Sequence, residues 1–343
     1  MIHTMENNIL NLFSLKLRKL IADTGVDFDN LQEIRLRSGQ PLILICNNKE
    51  CFVSHTGTIT DRKENVFTVD VDEIRETMEY ISNYSMYAFE EEIRQGFITV
   101  AGGHRVGICG KAVMENGKLK TIKHISFINI RLAHEIKGCS DMIMQYLYKS
   151  HSSVYNTLII SPPMNGKTTL LRDIVRNISN GGMKQKNMEY GIYRGLSVGL
   201  ADERSEIAAS YLGIPQNDVG IRTDVMDAMP KTYGIMMLIR TMSPDVIAVD
   251  EIGSAEDVSS ILYGVNCGCS FIGTIHGESI ENVSNKPALQ TLMSERVFER
   301  YLLLEKNHSD KESNSENKNS PKKDKRTATI YDRNFKQIGM EVL

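Results

Sequence analysis

The stretch that most constrains the fold of this chain is residues 158–178, LIISPPMNGKTTLLRDIVRNI. Leu158–Ile160 are consecutive apolar residues and predict a short buried strand. A loop and then Gly166-Lys167-Thr168 follow, after which apolar residues recur at helical spacing. Asn180-Gly181-Gly182 predict where that helix stops. The order strand, loop, Gly-Lys-Thr and helix is typical of a phosphate-binding loop.

The chemistry of phosphate explains why these residue types are needed. Phosphates are well solvated, so a protein competes with water by aiming many backbone N–H groups at them from the positive end of a helix. Gly166 lets the main chain come close, and Lys167 can reach the outer phosphates. The Thr168 hydroxyl can bind Mg²⁺. We therefore predict a nucleotide site at this loop.

The first position of the loop departs from the motif, because Ser161 stands where glycine is usual. Serine is less free than glycine to adopt positive φ. Pro162 and Pro163 partly compensate by fixing φ in the loop. The alternative, a chance Gly-Lys-Thr in a surface turn, is disfavoured by the strand before it and the amphipathic helix after it.

A second element of a nucleotide hydrolase follows at residues 245–251, DVIAVDE. Its four apolar residues predict a buried parallel strand that ends at Asp250-Glu251. Asp250 can hold Mg²⁺ together with Thr168, usually through water. Glu251 can polarise the attacking water as a general base. This pattern is weak alone and becomes strong with the phosphate-binding loop upstream.

Two further polar groups follow predicted strands. Asp202-Glu203-Arg204 comes after a strand at 196–200, and His276 comes after one at 270–274. Because ligands of open α/β sheets bind at the carboxyl ends of the strands, Glu203 is expected near the phosphates if its strand neighbours the first one. A solvated acidic turn remains the alternative for Glu203. For His276, a γ-phosphate contact and a structural role both remain open.

The composition is that of a soluble globular protein, with 41% hydrophobic and 24% charged residues. A net charge of −3 does not favour a nucleic-acid binder, and we expect no nucleic-acid partner. We find no apolar run near the roughly 20 residues of a membrane span, nor a signal-peptide pattern. Six cysteines without a C-x-x-C pair indicate a reduced, cytoplasmic protein, and we expect Cys267 and Cys269 to be buried.

Repeated strand–helix units predict an α/β sheet with helices on both faces, preceded by a small α+β domain. We expect an amphipathic helix at 9–21, a helix at 141–149 that leads into the nucleotide domain, and a structured loop carrying Arg222 at 211–224. The predicted divisions are an amino-terminal α+β domain at 1–135, a nucleotide-binding domain at 136–305, a disordered polar segment at 306–326 and a terminal hairpin at 327–343.

Several of these motifs together resemble the stage III sporulation protein AA family. The segments are 158–172, 198–210, 219–227, 237–257 and 271–277, with EIRLRSGQPL at 33–42 and GFITVAGGHRVG at 96–107. That family is similar to the ATPases of type II and type IV secretion and of type IV pili. The resemblance implies a RecA-like P-loop domain that uses ATP and Mg²⁺ and assembles as a homohexamer. It also implies a mother-cell location beneath membrane proteins of the stage III sporulation complex.

The resemblance also assigns residues. Asp202 and Glu203 match the acidic box of the secretion ATPases, Asp250 and Glu251 the second hydrolase motif, and His276 the histidine box. Relatives often lack the aspartate equivalent to Asp250, so Glu203 and Glu251 both stay candidates for the base. The remaining assigned residues are those of the nucleotide loop and two amino-domain arginines that reach the nucleotide in relatives: Ser161, Pro162, Pro163, Met164, Asn165, Gly166, Lys167, Thr168 and Thr169, with Arg105 and Arg131.

Three functions compete at this point. The first is a Mg²⁺-dependent ATPase that energises or assembles a mother cell–forespore channel complex. The second, suggested by Ser161, is a nucleotide-dependent scaffold with little turnover. The third is a ring motor on DNA, which calls for basic residues interleaved with aromatics. The chain has no tryptophan, and its densest basic run, 322–326, falls in the segment predicted to be disordered.

Overall fold

The computed structural model describes residues 2–182, 192–306 and 326–343. The chain forms two compact units. The first comprises Met1–His134 and Ala209–Gln216, and the second comprises Glu135–Ala208 and Asn217–Leu343. Residues 209–216 thus belong to the first unit, although they follow the phosphate-binding loop in sequence. The predicted domains, which are consecutive ranges, place them in the second unit.

The first unit is built on a seven-stranded antiparallel sheet. Its helices are α1 (Ile2–Leu10), α2 (Leu15–Asp23), α3 (Val71–Ile81) and α4 (Glu90–Gln95). Its strands are β1 (Leu31–Arg37), β2 (Gln40–Pro41), β3 (Ile43–Cys46), β4 (Lys49–Val53), β5 (Ile59–Thr60), β6 (Thr68–Val69), β7 (Phe97–Val100), β8 (His104–Glu115) and β9 (Lys118–Arg131). The large sheet has the order β5-β4-β3-β1-β9-β8-β7, and one core joins α1 to α4 with its inner face.

The prediction of one continuous helix at 9–21 is wrong. The chain breaks after Leu10, and a second helix starts at Leu15. The Ser14 hydroxyl accepts the N–H of Leu17 and so caps the second helix. Arg18 donates from its guanidinium to three carbonyls of the break, among them Leu10 O at 3.0 Å. Apolar periodicity continues across the break, so the pattern alone does not reveal it.

The second unit is an α/β domain with a mixed eight-stranded sheet. Its helices are α5 (Met144–Leu147), α6 (Lys167–Asn180), α7 (Lys231–Met242), α8 (Ala255–Asn266), α9 (Ile280–Ser284) and α10 (Gln290–Ser294). Its strands are β10 (Tyr148–Ser150), β11 (Ser153–Val154), β12 (Thr157–Ser161), β13 (Val198–Asp202), β14 (Thr223–Asp227), β15 (Val246–Val249), β16 (Ser270–His276), β17 (Arg300–Lys306), β18 (Arg326–Asp332) and β19 (Gln337–Val342).

The order of the large sheet, β14-β13-β15-β16-β12-β17-β18-β19, places the site. The strands from β14 to β17 are parallel, and β18 and β19 extend the sheet as an antiparallel hairpin. Every residue of β12 and β15 is buried, as expected for strands covered on both faces. Two separate apolar cores, one on each face, include residues of β12. The carboxyl ends of β12, β13, β15 and β16 therefore meet at one edge.

Three smaller predictions in this unit are wrong. The helix expected at 141–149 is only the single turn of α5, because the chain enters β10 at Tyr148. Residues 223–224, expected in a loop, begin the half-buried edge strand β14. Cys269 is buried as expected, but Cys267 is exposed at the end of α8.

The polar segment predicted to be disordered, 306–326, is one residue too long at each end. Lys306 and Arg326, its two predicted ends, are strand residues. A polar stretch at 184–194, whose composition predicts a surface loop, falls largely outside the described residues, as do residues 307–325 of the polar segment. Among the helices that the structure describes, none is both long and apolar enough to cross a membrane.

Candidate functional site

The loop between β12 and α6 is shaped by two residues with positive φ. Gly166, which caps α6, has φ 86°, and Met164 has φ 59°. Ser161 is the buried last residue of β12 and is not in the left-handed region, so serine meets no conflict there. Asn165 is buried and donates to Leu304 O of β17 at 3.1 Å, which ties the loop to the neighbouring strand.

Asp250, one residue past β15, is the centre of the polar network at this edge. Lys167 Nζ lies 3.2 Å from its Oδ1, and the Thr168 hydroxyl donates to its Oδ2 at 2.7 Å. The Thr274 hydroxyl of β16 donates to Oδ1 as well. The lysine and the aspartate side chains are only 10% and 16% exposed, so this ion pair is held largely away from water. The structure thus brings together Lys167, Thr168 and Asp250, as the strand order requires.

Glu251 is held at the same edge in the left-handed conformation, with φ 59°. Its N–H donates to the Thr274 hydroxyl at 2.9 Å. Its carboxylate lies 3.0 Å from Arg204 Nη1 and 3.7 Å from His276 Nε2. Because His276 pairs in register with Ser161 across β16 and β12, this contact places Glu251 beside the start of the loop.

Glu203 reaches the network through Lys231. Lys231, the first residue of α7, lies 3.4 Å from Glu203 Oε2 and donates to the main-chain carbonyl of Glu251 at 2.7 Å. Its Nζ is also 3.6 Å from Asp257 Oδ2. Both candidate bases therefore lie at one edge of the sheet, and each is paired with a cation.

Asp202, which the resemblance matched to the acidic box, supports its own loop instead. Its buried carboxylate accepts the N–H groups of Glu206, Ile207 and Ala208 at 2.8–3.0 Å. Burial raises the pKa of this carboxyl to about 6, although the three amides oppose the shift. The Arg172 guanidinium of α6 donates to the carbonyls of Glu206 and Ile207, so the segment is fixed from both sides.

The two predicted arginines of the amino-terminal domain lie opposite each other in the first unit, where Arg105 of β8 pairs with Arg131 of β9. The Arg105 guanidinium lies over the Phe97 ring, 4.1 Å from its centroid. Arg131 Nε lies 3.5 Å from Glu33 Oε1. That these arginines reach the nucleotide stays a prediction.

The residues at the loop fit a nucleotide with Mg²⁺. Thr168 and Asp250 offer hard oxygen donors beside each other, which suits Mg²⁺. In the described part of the chain, no group of three His, Cys, Asp or Glu side chains is placed to hold a metal by itself. Phosphate oxygens and water would have to complete its coordination, as in nucleotide hydrolases. Within the same ranges, His276 Nδ1 and Arg326 Nε are buried polar atoms with no hydrogen-bond partner.

Sequence reasoning missed four polar residues of this edge. The sequence predicts no role for Lys231 or Thr274, and it marks Arg204 only as part of a polar triplet and Arg326 only as the end of a basic run. Thr274 lies two residues before His276, and alternation along a strand places both on the same side. That spacing could have signalled its role, whereas the contacts of Lys231 and Arg326 depend on the tertiary fold.

The family described as "Sporulation stage III, protein AA" matches residues 3–316. The chain belongs to this family. It is 43% identical over 274 residues to "Stage III sporulation protein AA" of Bacillus subtilis (strain 168), a match that covers 80% of this chain and 82% of the relative. A plant protein of Arabidopsis thaliana, "Protein SEEDLING PLASTID DEVELOPMENT 1", is 24% identical over 53% of this chain and 24% of its own length.

Solved structures of a pilus retraction motor and of a Legionella ATPase are similar in fold to this family member. The "Pilus Retraction Motor PilT and Bound ADP" aligns with a TM-score of 0.54 at 13% identity, covering 86% of this chain and 79% of its own. The "Legionella pneumophila ATPase DotB" aligns with a TM-score of 0.51 at 16% identity, covering 89% and 78%. Together with the parallel sheet core, these matches give the chain the predicted RecA-like P-loop fold.

Proposed function

We propose that the chain is a Mg²⁺-dependent ATPase of the secretion-ATPase type. It would energise or assemble a membrane complex that joins mother cell and forespore during endospore formation. The observation that carries the proposal is the convergence of Lys167, Thr168 and Asp250 at the end of a phosphate-binding loop. The structural likeness to a pilus motor described with bound ADP supports it.

The chemistry follows from residues already in contact. Lys167 would leave Asp250 to pair with phosphate oxygens, and the loop N–H groups would stabilise the charge that develops there. Thr168 and Asp250 would hold Mg²⁺, which when bound neutralises charge on the phosphates. Either Glu251 or Glu203 would accept the proton of the attacking water. We favour Glu251 because it directly follows Asp250 and contacts His276 at the start of the loop.

The first experiment compares phosphate release by the wild type and by Lys167→Ala, with ATP and Mg²⁺. We expect the variant to lose turnover and nucleotide binding, since a neutral side chain leaves the phosphate charge uncompensated. Lys149→Ala is the matched control, because Lys149 is an exposed lysine that lies 3.2 Å from Glu299 and over the Tyr155 ring, neither of which belongs to the network at Asp250. Equal phosphate release from the wild type and Lys167→Ala would refute the proposal.

The second candidate is a nucleotide-dependent scaffold with little turnover. It is favoured by the ion pairs that occupy the carboxylates a hydrolase would use as base. Both candidate carboxylates are held by cations, Glu251 by Arg204 and Glu203 by Lys231. Glu251→Gln separates the two functions, because it keeps the size of the side chain and removes its basicity. If complex assembly survives Glu251→Gln and fails with Lys167→Ala, binding rather than hydrolysis is the function.

The proposed setting of the enzyme is the mother-cell cytoplasm, as a homohexameric ring under stage III membrane proteins. Sedimentation of the purified chain with and without ATP and Mg²⁺ tests the ring. A species that stays monomeric under both conditions would argue against a motor and favour a switch. Salt-dependent binding to single-stranded DNA at physiological ionic strength would instead revive the DNA motor.

A further inference from the structure

Arg326 lies at the edge of the sheet that carries the phosphate-binding loop. It begins β18 and pairs with Lys306, the last residue of β17. Because β17 is parallel to β12, both strands end at the edge where the loop starts. In the sheet, β15 lies two strands from β12 on one side, and Asp250 follows β15. On the other side β18 lies two strands from β12, and Arg326 is its first residue. The two charged residues thus flank the loop from opposite directions.

The Arg326 guanidinium rests directly on the loop. A Cβ atom built at Gly166 would lie 2.2 Å from Arg326 Nη1 and 3.0 Å from its Cζ, so the guanidinium fills the space beside the Gly166 backbone. The positive φ of Gly166 is what favours glycine there, since the guanidinium is the end of a flexible side chain that can move aside. The contact lies at the residue that caps α6, immediately before Lys167.

The charge of Arg326 is uncompensated by the residues that the structure describes. Its Nε is buried, and within those ranges no acceptor lies within hydrogen-bonding distance of it. The start of a helix carries a partial positive charge, so a cation at that position is unfavourable by itself. Lys167 has Asp250 as its counter-ion. An anion in the loop would supply the corresponding acceptor for Arg326.

We propose that Arg326 donates hydrogen bonds to the phosphates of the nucleotide that are not transferred. This inference rests on the proposed nucleotide site. Asp250, Glu251 and His276 all lie on the β16 and β15 side of the loop, which is where the reacting phosphate belongs. Arg326 approaches from the other side and is a binding residue for the remaining diphosphate. It should therefore affect ATP and ADP alike.

The experiment measures dissociation constants for ADP and for inorganic pyrophosphate by calorimetry. The proteins are the wild type, Arg326→Ala and Arg326→Gln, and Gln keeps a side chain of similar reach without the charge. Arg333→Ala is the control, because Arg333 is an exposed arginine in the turn of the same hairpin. We expect Arg326→Ala and Arg326→Gln to weaken both ligands by about 10- to 100-fold, and Arg333→Ala to leave both unchanged.

Three results would overturn the assignment. Unchanged ADP affinity in Arg326→Gln, while Lys167→Ala abolishes binding, would refute the role of Arg326 and leave the nucleotide site intact. A loss for ADP without a loss for pyrophosphate would place the guanidinium on the nucleoside instead of the phosphates. Absence of ADP binding in the wild type would remove the proposed function and this inference with it. The melting temperature without nucleotide shows whether each variant is folded.

Discussion

His104 offers a quantitative test of the first unit. It is buried, and its Nδ1 accepts the N–H of Ala133 at 3.0 Å, which joins the start of β8 to the chain after β9. Burial, with a smaller contribution from the charge of His134, lowers the pKa of His104 from 6.5 to about 4. The folded state thus binds this proton less readily than the unfolded state does.

The sign and size of the effect follow from linkage. Because the folded pKa is the lower one, stability is lost as the pH falls from about 6.5 to about 4. The two pKa values give a loss of about 2 kcal/mol between pH 7.5 and pH 5 from His104 alone. His104→Asn keeps an acceptor for the Ala133 amide and removes the titration, so this part of the pH dependence should disappear.

The assay is hydrogen exchange of the amides of β7 and β8, measured by mass spectrometry at pH 5, 6 and 7.5 and corrected for intrinsic rates. His151→Gln is the control, since His151 is exposed and should leave the slope unchanged. The quantity compared is the slope of the opening free energy against pH. A loss of stability in His104→Asn that is equal at every pH leaves this slope unchanged. Equal slopes in the wild type and His104→Asn would refute the reasoning.

Three further predictions concern stability and the loop. The pKa of Asp202 is about 6 in the folded state against an ordinary 3.8, so its contribution to the stability of the wild type is lost as the pH rises from about 4 to 6. We expect Asp202→Asn to remove this pH dependence from the second unit, and urea titrations at about pH 4 and pH 6 test this. Asn165→Ala removes the hydrogen bond to Leu304 O, which should lower the unfolding free energy by about 1 kcal/mol and weaken ADP binding. An unchanged ADP affinity by calorimetry would show that this hydrogen bond does not matter for binding. Ser14→Ala removes the cap of α2 and should cost about 1 kcal/mol of unfolding free energy, whereas Ser14→Thr should cost less; equal denaturation midpoints in all three proteins would argue against the cap.

The sequence was most informative where local pattern and fold agree. The continuous apolar runs that end in Ser161 and Asp250 predicted parallel strands, and the structure places them in one sheet with His276 between them. Their polar ends follow from that topology, since parallel strands share an edge. The network at Asp250 was thus foreseeable in outline.

The remainder depends on tertiary contacts that no local pattern encodes. The break before Ser14 leaves the apolar spacing intact, and the cap becomes visible only with the Leu17 amide in place. Asp202 has the residue type and address of a catalytic acid, yet its loop turns back and fills both oxygens with amides. Arg326 was hidden because the polar composition around it masked the start of a strand.

The pairing of Lys167 with Asp250 has a consequence for selectivity. Any anion that approaches this lysine must displace a carboxylate that the chain itself delivers, at 3.2 Å and sheltered from solvent. A small, weakly charged ion such as chloride makes too few contacts to win that exchange, whereas a polyphosphate that also engages the loop amides can. The Asp250 carboxylate thereby makes the loop selective for polyphosphates. Asp250→Asn, which removes its charge, should lower the selectivity of the loop among anions.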